Sequence, residues 1–161
     1  MKALVVYWTH TGHTRRAAED LAEGLRSAGV DVDLADLRAG NVPDPAEYEL
    51  LAVGSPCHAG SIKFAGTGIA RAVERWLRAL PRGALAGKTA AAFSVHSGMG
   101  ARRTVGSMEG LLADAGAKVV SPGPVVKAGV PFSLWEGPRA SEADREALRA
   151  FGRSIVAAHN A

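Results

Sequence analysis

Cysteine is nearly absent: Cys57 is the only one in the chain. That excludes an internal disulfide framework and fits a reducing compartment. No apolar run is long enough to span a bilayer, and the N-terminus passes straight into a strand pattern without signal-peptide character. A cytoplasmic location without membrane insertion is therefore expected. A strong charge excess is missing too. Lys and Arg number 19 against 16 Asp and Glu, a net charge of +3. The basic residues are scattered along arginine-rich helices, so nucleic acid is not an expected partner, and a strongly acidic surface is disfavoured. Repeats, linkers and low-complexity tracts are also lacking. What remains, 161 residues with 47% hydrophobic content, suits one domain over residues 1–161 with a substantial core.

Apolar periodicity alternates along the chain. Ala3 to Trp8 is a continuous apolar run, as expected of a strand buried on both faces. Ala17, Ala18, Leu21, Ala22, Leu25 and Ala28 then recur at helical spacing until Gly29. Val30 to Leu34 and Leu50 to Val53 predict the second and third strands, with a proline-bearing loop between them. A helix through Ile69, Val73, Trp76, Leu77 and Leu80 stops at Pro81, and Lys88 to Val95 gives a fourth strand. A third helix through Val105, Met108 and Leu112 precedes a fifth strand, Val119 to Val126, broken around Pro122-Gly123-Pro124. Ser141 with Asp144 predicts the cap of a last helix, after an irregular excursion from Gly129 to Ala140. Strands alternating with helices imply right-handed crossovers and a parallel sheet covered on both faces. Ligands of such sheets bind beyond the carboxyl ends of the strands. The loops after strands one, three and four should gather there.

Those three loops carry the chemistry. Thr9-His10-Thr11-Gly12-His13-Thr14 leaves a strand and opens a helix, where unbonded N–H groups and the macrodipole suit a phosphate. Arg15 and Arg16 follow in the first helical turn, against the macrodipole, which a bound dianion would offset. Gly54 to Ser61 has small side chains that let a flat ring system lie against the backbone. Ser94 to Gly100 is again small and polar.

Several other chemistries fail on spacing. Gly83 to Thr89 resembles a P-loop but is one residue short and precedes a strand. Gly66-Thr67-Gly68 and Gly98-Met99-Gly100 lack the third glycine of a dinucleotide fingerprint. Val95 stands where a hydrolase elbow needs glycine. Cys57 beside His58 lacks the geometry of an activated thiolate, since sequence neighbours on an extended loop point apart. His10, His13, His58 and His96 converge with Cys57, but no carboxylate lies in these loops, and no metal is expected.

The stretch from Leu4 to Arg16 resembles the phosphate loop of the flavodoxin family, Ser/Thr-x-Thr-Gly-x-Thr, through Thr9, Thr11, Gly12 and Thr14. Gly54-Ser55-Pro56 is similar to the start of that family's second flavin loop, and Phe93 to Gly98 stands in the place of its third. The resemblance implies a three-layer, doubly wound, five-stranded parallel α/β sheet of order 2-1-3-4-5 and non-covalent FMN. It implies that Thr9, His10, Thr11, Gly12, His13 and Thr14 hold the FMN phosphate. Ser55, Pro56, Cys57, His58, Ala59 and Gly60 would flank the isoalloxazine, and Ser94, His96, Ser97, Gly98 and Gly100 would cover its pyrimidine side. Electron transfer to a partner protein or small-molecule acceptor is the implied function. Departures exist: the second and third loops carry no aromatic before Phe64, and the family's carriers are usually acidic. Tyr7-Trp8 and Gly12-His13-Thr14 are also similar to flavodoxin-like NAD(P)H:quinone reductases, whose sites form across oligomer interfaces. A reductase that takes electrons directly from NAD(P)H is one alternative expectation, and a non-redox phosphate- or metal-binding module is another.

Overall fold

A computed structural model of the chain describes residues 1–58, 66–96, 98–128 and 140–161. The strands are β1 (Lys2–Tyr7), β2 (Asp31–Asp36), β3 (Leu50–Pro56), β4 (Thr89–His96), β5 (Lys118–Val120) and β6 (Val125–Lys127). The helices are α1 (His13–Ser27), α2 (Arg71–Ala79), α3 (Ala101–Asp114) and α4 (Glu142–Asn160), with a 3-10 turn at Pro45–Glu47. All ladders between these strands are parallel, in the order β2-β1-β3-β4-β5, and β6 also pairs with β4. The fold class and strand order expected from the sequence are present. The fifth position of the sheet is two short segments, interrupted where Pro122 and Pro124 supply no N–H to a ladder.

Alternation along the strands divides the core into two layers. Ala3, Val5, Tyr7, Leu50, Ala52, Ala91 and Phe93 face α1 and α4, burying Leu21, Leu25, Leu148 and Ile155. Leu4, Val6, Leu51, Val53, Ala90 and Ala92 face α2 and α3, burying Val73, Leu77, Met108 and Leu112. Each fully buried leucine contributes roughly 1.5–3 kcal/mol relative to exposure. Both faces of β1, β3 and β4 are covered, which is why those strands read as continuous apolar runs.

Close backbone approach fixes α1 against α4. A Cβ added at Gly24 would lie 2.1 Å from the Arg149 carbonyl oxygen, and one at Gly152 would lie 2.5 Å from that of Leu21. Only glycine allows this contact. The cap expected at Ser141 is present, its hydroxyl accepting the Asp144 N–H at 3.1 Å. In α2, Leu80 is the C-cap rather than the last helical residue, as expected of a residue preceding proline.

Candidate functional site

The loops after β1, β3 and β4 meet at the carboxyl edge of the sheet. Register brings Tyr7 beside Gly54 and Pro56 beside Val95. Beyond the ladder, the Cys57 N–H donates to the Val95 carbonyl at 2.9 Å. The ring of Trp8 stacks on His10 with centroids 6.2 Å apart and meets His58 edge-on at 5.7 Å. The convergence of the three loops follows directly from the order of β1, β3 and β4.

The first loop opens α1 without a side-chain cap. Gly12 occupies the N-cap position at φ 89° and ψ −6°, a left-handed conformation that side chains disfavour. Its N–H donates to Thr9 Oγ1 at 2.9 Å, so the Thr9 hydroxyl shapes the turn. The Arg16 N–H bonds the Gly12 carbonyl at 3.1 Å. N–H groups of the preceding turn, those of Thr14 and Arg15 among them, therefore lie outside the intrahelical ladder. Thr14 is buried, Thr11 and His13 are half-buried, and His10 is exposed. Arg38 was not anticipated: from beyond β2 its Nη1 donates to the Thr9 carbonyl at 3.1 Å. The pairing of Tyr7 with Asp36 was the signal for it, because it places residue 38 beside the loop.

In the second loop, Ser55 and Ser94 are fully buried. Ser55 Oγ accepts the Ala70 N–H at 2.9 Å and donates to the Pro56 carbonyl, while Ser94 Oγ donates to the Ser55 carbonyl at 2.8 Å. These hydroxyls tie strand ends and α2 together beneath the edge. Pro56 and Cys57 are half-buried and His58 is exposed. Cys57 Sγ accepts from Thr104 Oγ1 at 3.4 Å and approaches the Met99 carbonyl at 3.6 Å, pinning the second loop to the third. Ala59 and Gly60 of the second loop, Ser97 of the third and most of the excursion from Gly129 to Ala140 lie outside the described residues.

The third loop repeats the design of the first. Gly100 is the N-cap of α3 at φ 97°, again left-handed and without a side-chain cap. Half-buried His96 turns its Nδ1 to the Gly98 carbonyl, and Gly98 and Gly100 are exposed. The His58 imidazole is held below its ordinary pKa, first by partial burial and then by the charge of His10. The neutral ring is thereby favoured at pH 7. Among the described residues, no three His, Cys, Asp or Glu side chains form a metal-holding group.

Comparison with known proteins agrees with this geometry. The family described as Flavodoxin matches residues 5–146. The chain belongs to the flavodoxin family. It is 34% identical over 162 aligned residues to a flavodoxin of Aquifex aeolicus, covering 96% of this chain and 85% of that protein. Among solved structures, oxidised flavodoxin 1 from Bacillus cereus superposes with a TM-score of 0.74 at 20% identity, covering 98% of each chain. Two-electron reduced Megasphaera elsdenii flavodoxin superposes at 0.67 with 23% identity, covering 99% of each.

As a flavodoxin, this protein binds FMN and transfers electrons to redox partners. Neither the quinone-reductase nor the metal-module alternative is favoured. The residues present fit the cofactor. An uncapped helix start with Gly12 suits a dianionic phosphate, and exposed Gly98 and Gly100 offer backbone without side chains to a flat ring. No helix among the described residues is long and apolar enough to cross a membrane.

Proposed function

We propose that residues 1–161 form one flavodoxin-like domain whose three carboxyl-edge loops hold FMN. The observation that carries the assignment is the start of α1, left-handed at Gly12 and uncapped. Backbone N–H groups of that turn, joined by the hydroxyls of Thr11 and Thr14, would hold the phosphate at the positive end of the helix. His10 and His13 border it. Ser55 and Ser94 act from below, holding the strand ends and so the shape of the loops above. Pro56, Cys57 and His58, with Ala59 and Gly60, flank the ring, and His96, Ser97, Gly98 and Gly100 cover its pyrimidine side.

When bound, FMN supplies the redox chemistry. The chain's part is position and electrostatics. Trp8 packs against His10 and His58 and lines one side of the site. A neutral His58 adds no fixed charge there. Cys57 serves as a clasp between loops through Thr104 and Met99, not as a nucleophile. Electrons pass to a protein or small-molecule acceptor, and the lone thiol fits a cytoplasmic setting.

A flavin absorption spectrum of the purified protein is the first test. Thr11→Ala combined with Thr14→Ala should weaken FMN binding by about 1–3 kcal/mol, roughly 5- to 150-fold in Kd, as hydrogen bonds to a charged group are lost. Unchanged affinity in that double variant defeats the assignment. Mixing the holoprotein with NAD(P)H should leave its flavin spectrum unaltered, as expected of a carrier that depends on a partner.

A further inference from the structure

We propose that the α2–α3 flank of the carboxyl edge is a docking surface for an acidic redox protein. The inference rests on the placement of FMN at that edge. Segments 8–18, 54–73 and 94–108 contain no Asp or Glu, while they carry Arg15, Arg16, Lys63, Arg71, Arg102 and Arg103. These three segments are therefore of one sign.

The structure turns that sequence bias into a surface. Arg71, Arg75, Arg102 and Arg103 are exposed along the first turns of α2 and α3. Arg71 and Arg75 border a cleft of about 420 Å³ that Trp8 and His58 also line. Met99, in the loop opening α3, is 87% exposed, far more than Met1 and Leu34, the other exposed large apolar side chains among the described residues. Exposed arginines together with an exposed apolar side chain are the usual composition of a protein-docking patch.

Among the described residues, nearby carboxylates are already engaged. Glu74 pairs with Arg78 at 2.8 Å and accepts from Thr67 at 3.2 Å. Glu109 accepts from Ser121 and Gly123 at 2.6 and 2.7 Å, and Asp36 accepts the Arg38 N–H. Asp20, Glu142 and Glu146 are bound by Arg145, Arg149 and Arg153 on the separate α1–α4 flank. The positive ends of α2 and α3 add to the arginine field. A surface extending over two helices, with an exposed methionine, exceeds what a small anion covers and matches a protein face rich in Asp and Glu.

The test uses the FMN-loaded protein, reduced with dithionite and freed of excess reductant. It is mixed with the soluble domain of cytochrome b5 as an acidic probe, or with cytochrome c as a basic one. In each case the reduced flavin loses one electron and one ferric haem becomes ferrous. Transfer to cytochrome b5 should slow about tenfold or more between about 10 and about 300 mM NaCl, while transfer to cytochrome c should speed up. The triple variant Arg71→Glu, Arg75→Glu and Arg103→Glu should slow the cytochrome b5 reaction about tenfold at low salt and reverse its salt dependence. Calorimetric binding of ferric cytochrome b5 to the oxidised holoprotein should weaken in parallel, with FMN affinity held within about twofold. Carboxylates at 71 and 103 fall in first helical turns, where they suit the macrodipole, and Arg75 is exposed, so the variant should fold. The corresponding triple glutamine variant should fall between it and the parent.

A yellow holoprotein whose reaction with cytochrome b5 is indifferent to salt and to charge reversal overturns the docking surface alone. So does a variant that loses NADPH binding while keeping cytochrome b5 binding, since the patch would then serve a small anion. A chain that takes up no FMN overturns the site reading as well, and the absorption spectrum shows this before any partner is added.

Discussion

Replacing Gly12 by alanine isolates the backbone requirement of the phosphate loop. At φ 89° a Cβ would meet only Arg15 Nη2, at an ordinary 3.8 Å, so the perturbation is conformational and not a clash. Holding a non-glycine residue in the left-handed region costs about 1–2 kcal/mol. The variant has two ways to respond. It can keep the conformation, in which case the strain lowers the stability of the apoprotein and FMN affinity is unchanged. Alternatively the loop relaxes in the apoprotein, giving up the 2.9 Å bond from the Gly12 N–H to Thr9. FMN binding must then restore the strained form, and Kd rises roughly fivefold to thirtyfold. Urea unfolding of the apoprotein and FMN titration by flavin fluorescence quenching measure the two terms. Their sum should be at least about 1 kcal/mol, however it divides. Asparagine, which tolerates the left-handed region better than alanine, should recover part of it. Stability and affinity both within about 0.3 kcal/mol of the parent would refute the reasoning, because a loop that accepts alanine there without strain does not need its left-handed glycine.

Two further outcomes follow from the fold. The Tyr48 hydroxyl donates to Asp33 at 2.7 Å, and this bond with burial holds its pKa up, to about 12. Tyr48→Phe should therefore cost about 1–2 kcal/mol in urea unfolding at neutral pH. The folded state keeps this proton where the unfolded chain releases it, so the contribution is intact below about pH 10 and is lost as pH rises towards 12. Tyr7 is also raised, chiefly by burial, so an absorbance titration in which both tyrosines ionise in the folded protein as they do in the unfolded chain would contradict both placements. Gly24→Ala, with its Cβ 2.1 Å from the Arg149 carbonyl, should force α4 away from α1 and cost about 1–3 kcal/mol. An unchanged melting temperature would mean that the two helices do not pack backbone to backbone.

The order of elements was legible because a doubly wound sheet writes itself as apolar runs alternating with helical periodicity. Both strand faces are buried at Val5 and Val6, or Ala91 and Ala92, and glycines mark helix ends at Gly29 and Gly116 through their positive φ. The convergence of the loops was legible for the same reason, since parallel strands deliver their carboxyl ends to one edge. Side-chain direction at that edge was not. Ser55 and Ser94 sit near the ends of their strands, where a shift of one residue reverses the face, and nothing local in the sequence says that their hydroxyls point inward. Arg38 was missed because its partner, the Thr9 carbonyl, is 29 positions away and is reached only through the register of β2 on β1. The Trp8 contacts with His10 and His58 arise from two different loops, so no periodicity records them.

Capping shows where the chain forgoes local stability. The 3-10 turn at Pro45–Glu47 is capped by Asp44, and α4 by Ser141, each through a side-chain oxygen. The helices that begin at the three loops, α1, α2 and α3, have no such bond. A missing cap costs roughly 1 kcal/mol where alanine stands in its place and about a few tenths where glycine does, and cations in a first turn add a few tenths more. At α2 the omission has a structural explanation: Ala70 is the N-cap and its N–H is held by Ser55. At α1 and α3 glycine occupies the cap in a left-handed conformation, where a side chain would be strained and the extended geometry of a serine or aspartate cap is not available. Aspartate at either position would also set a negative charge at the helix end, against any phosphate or other anion approaching it. The two helix starts that glycine leaves without a side-chain cap are thus the two that stay open to an anionic cofactor.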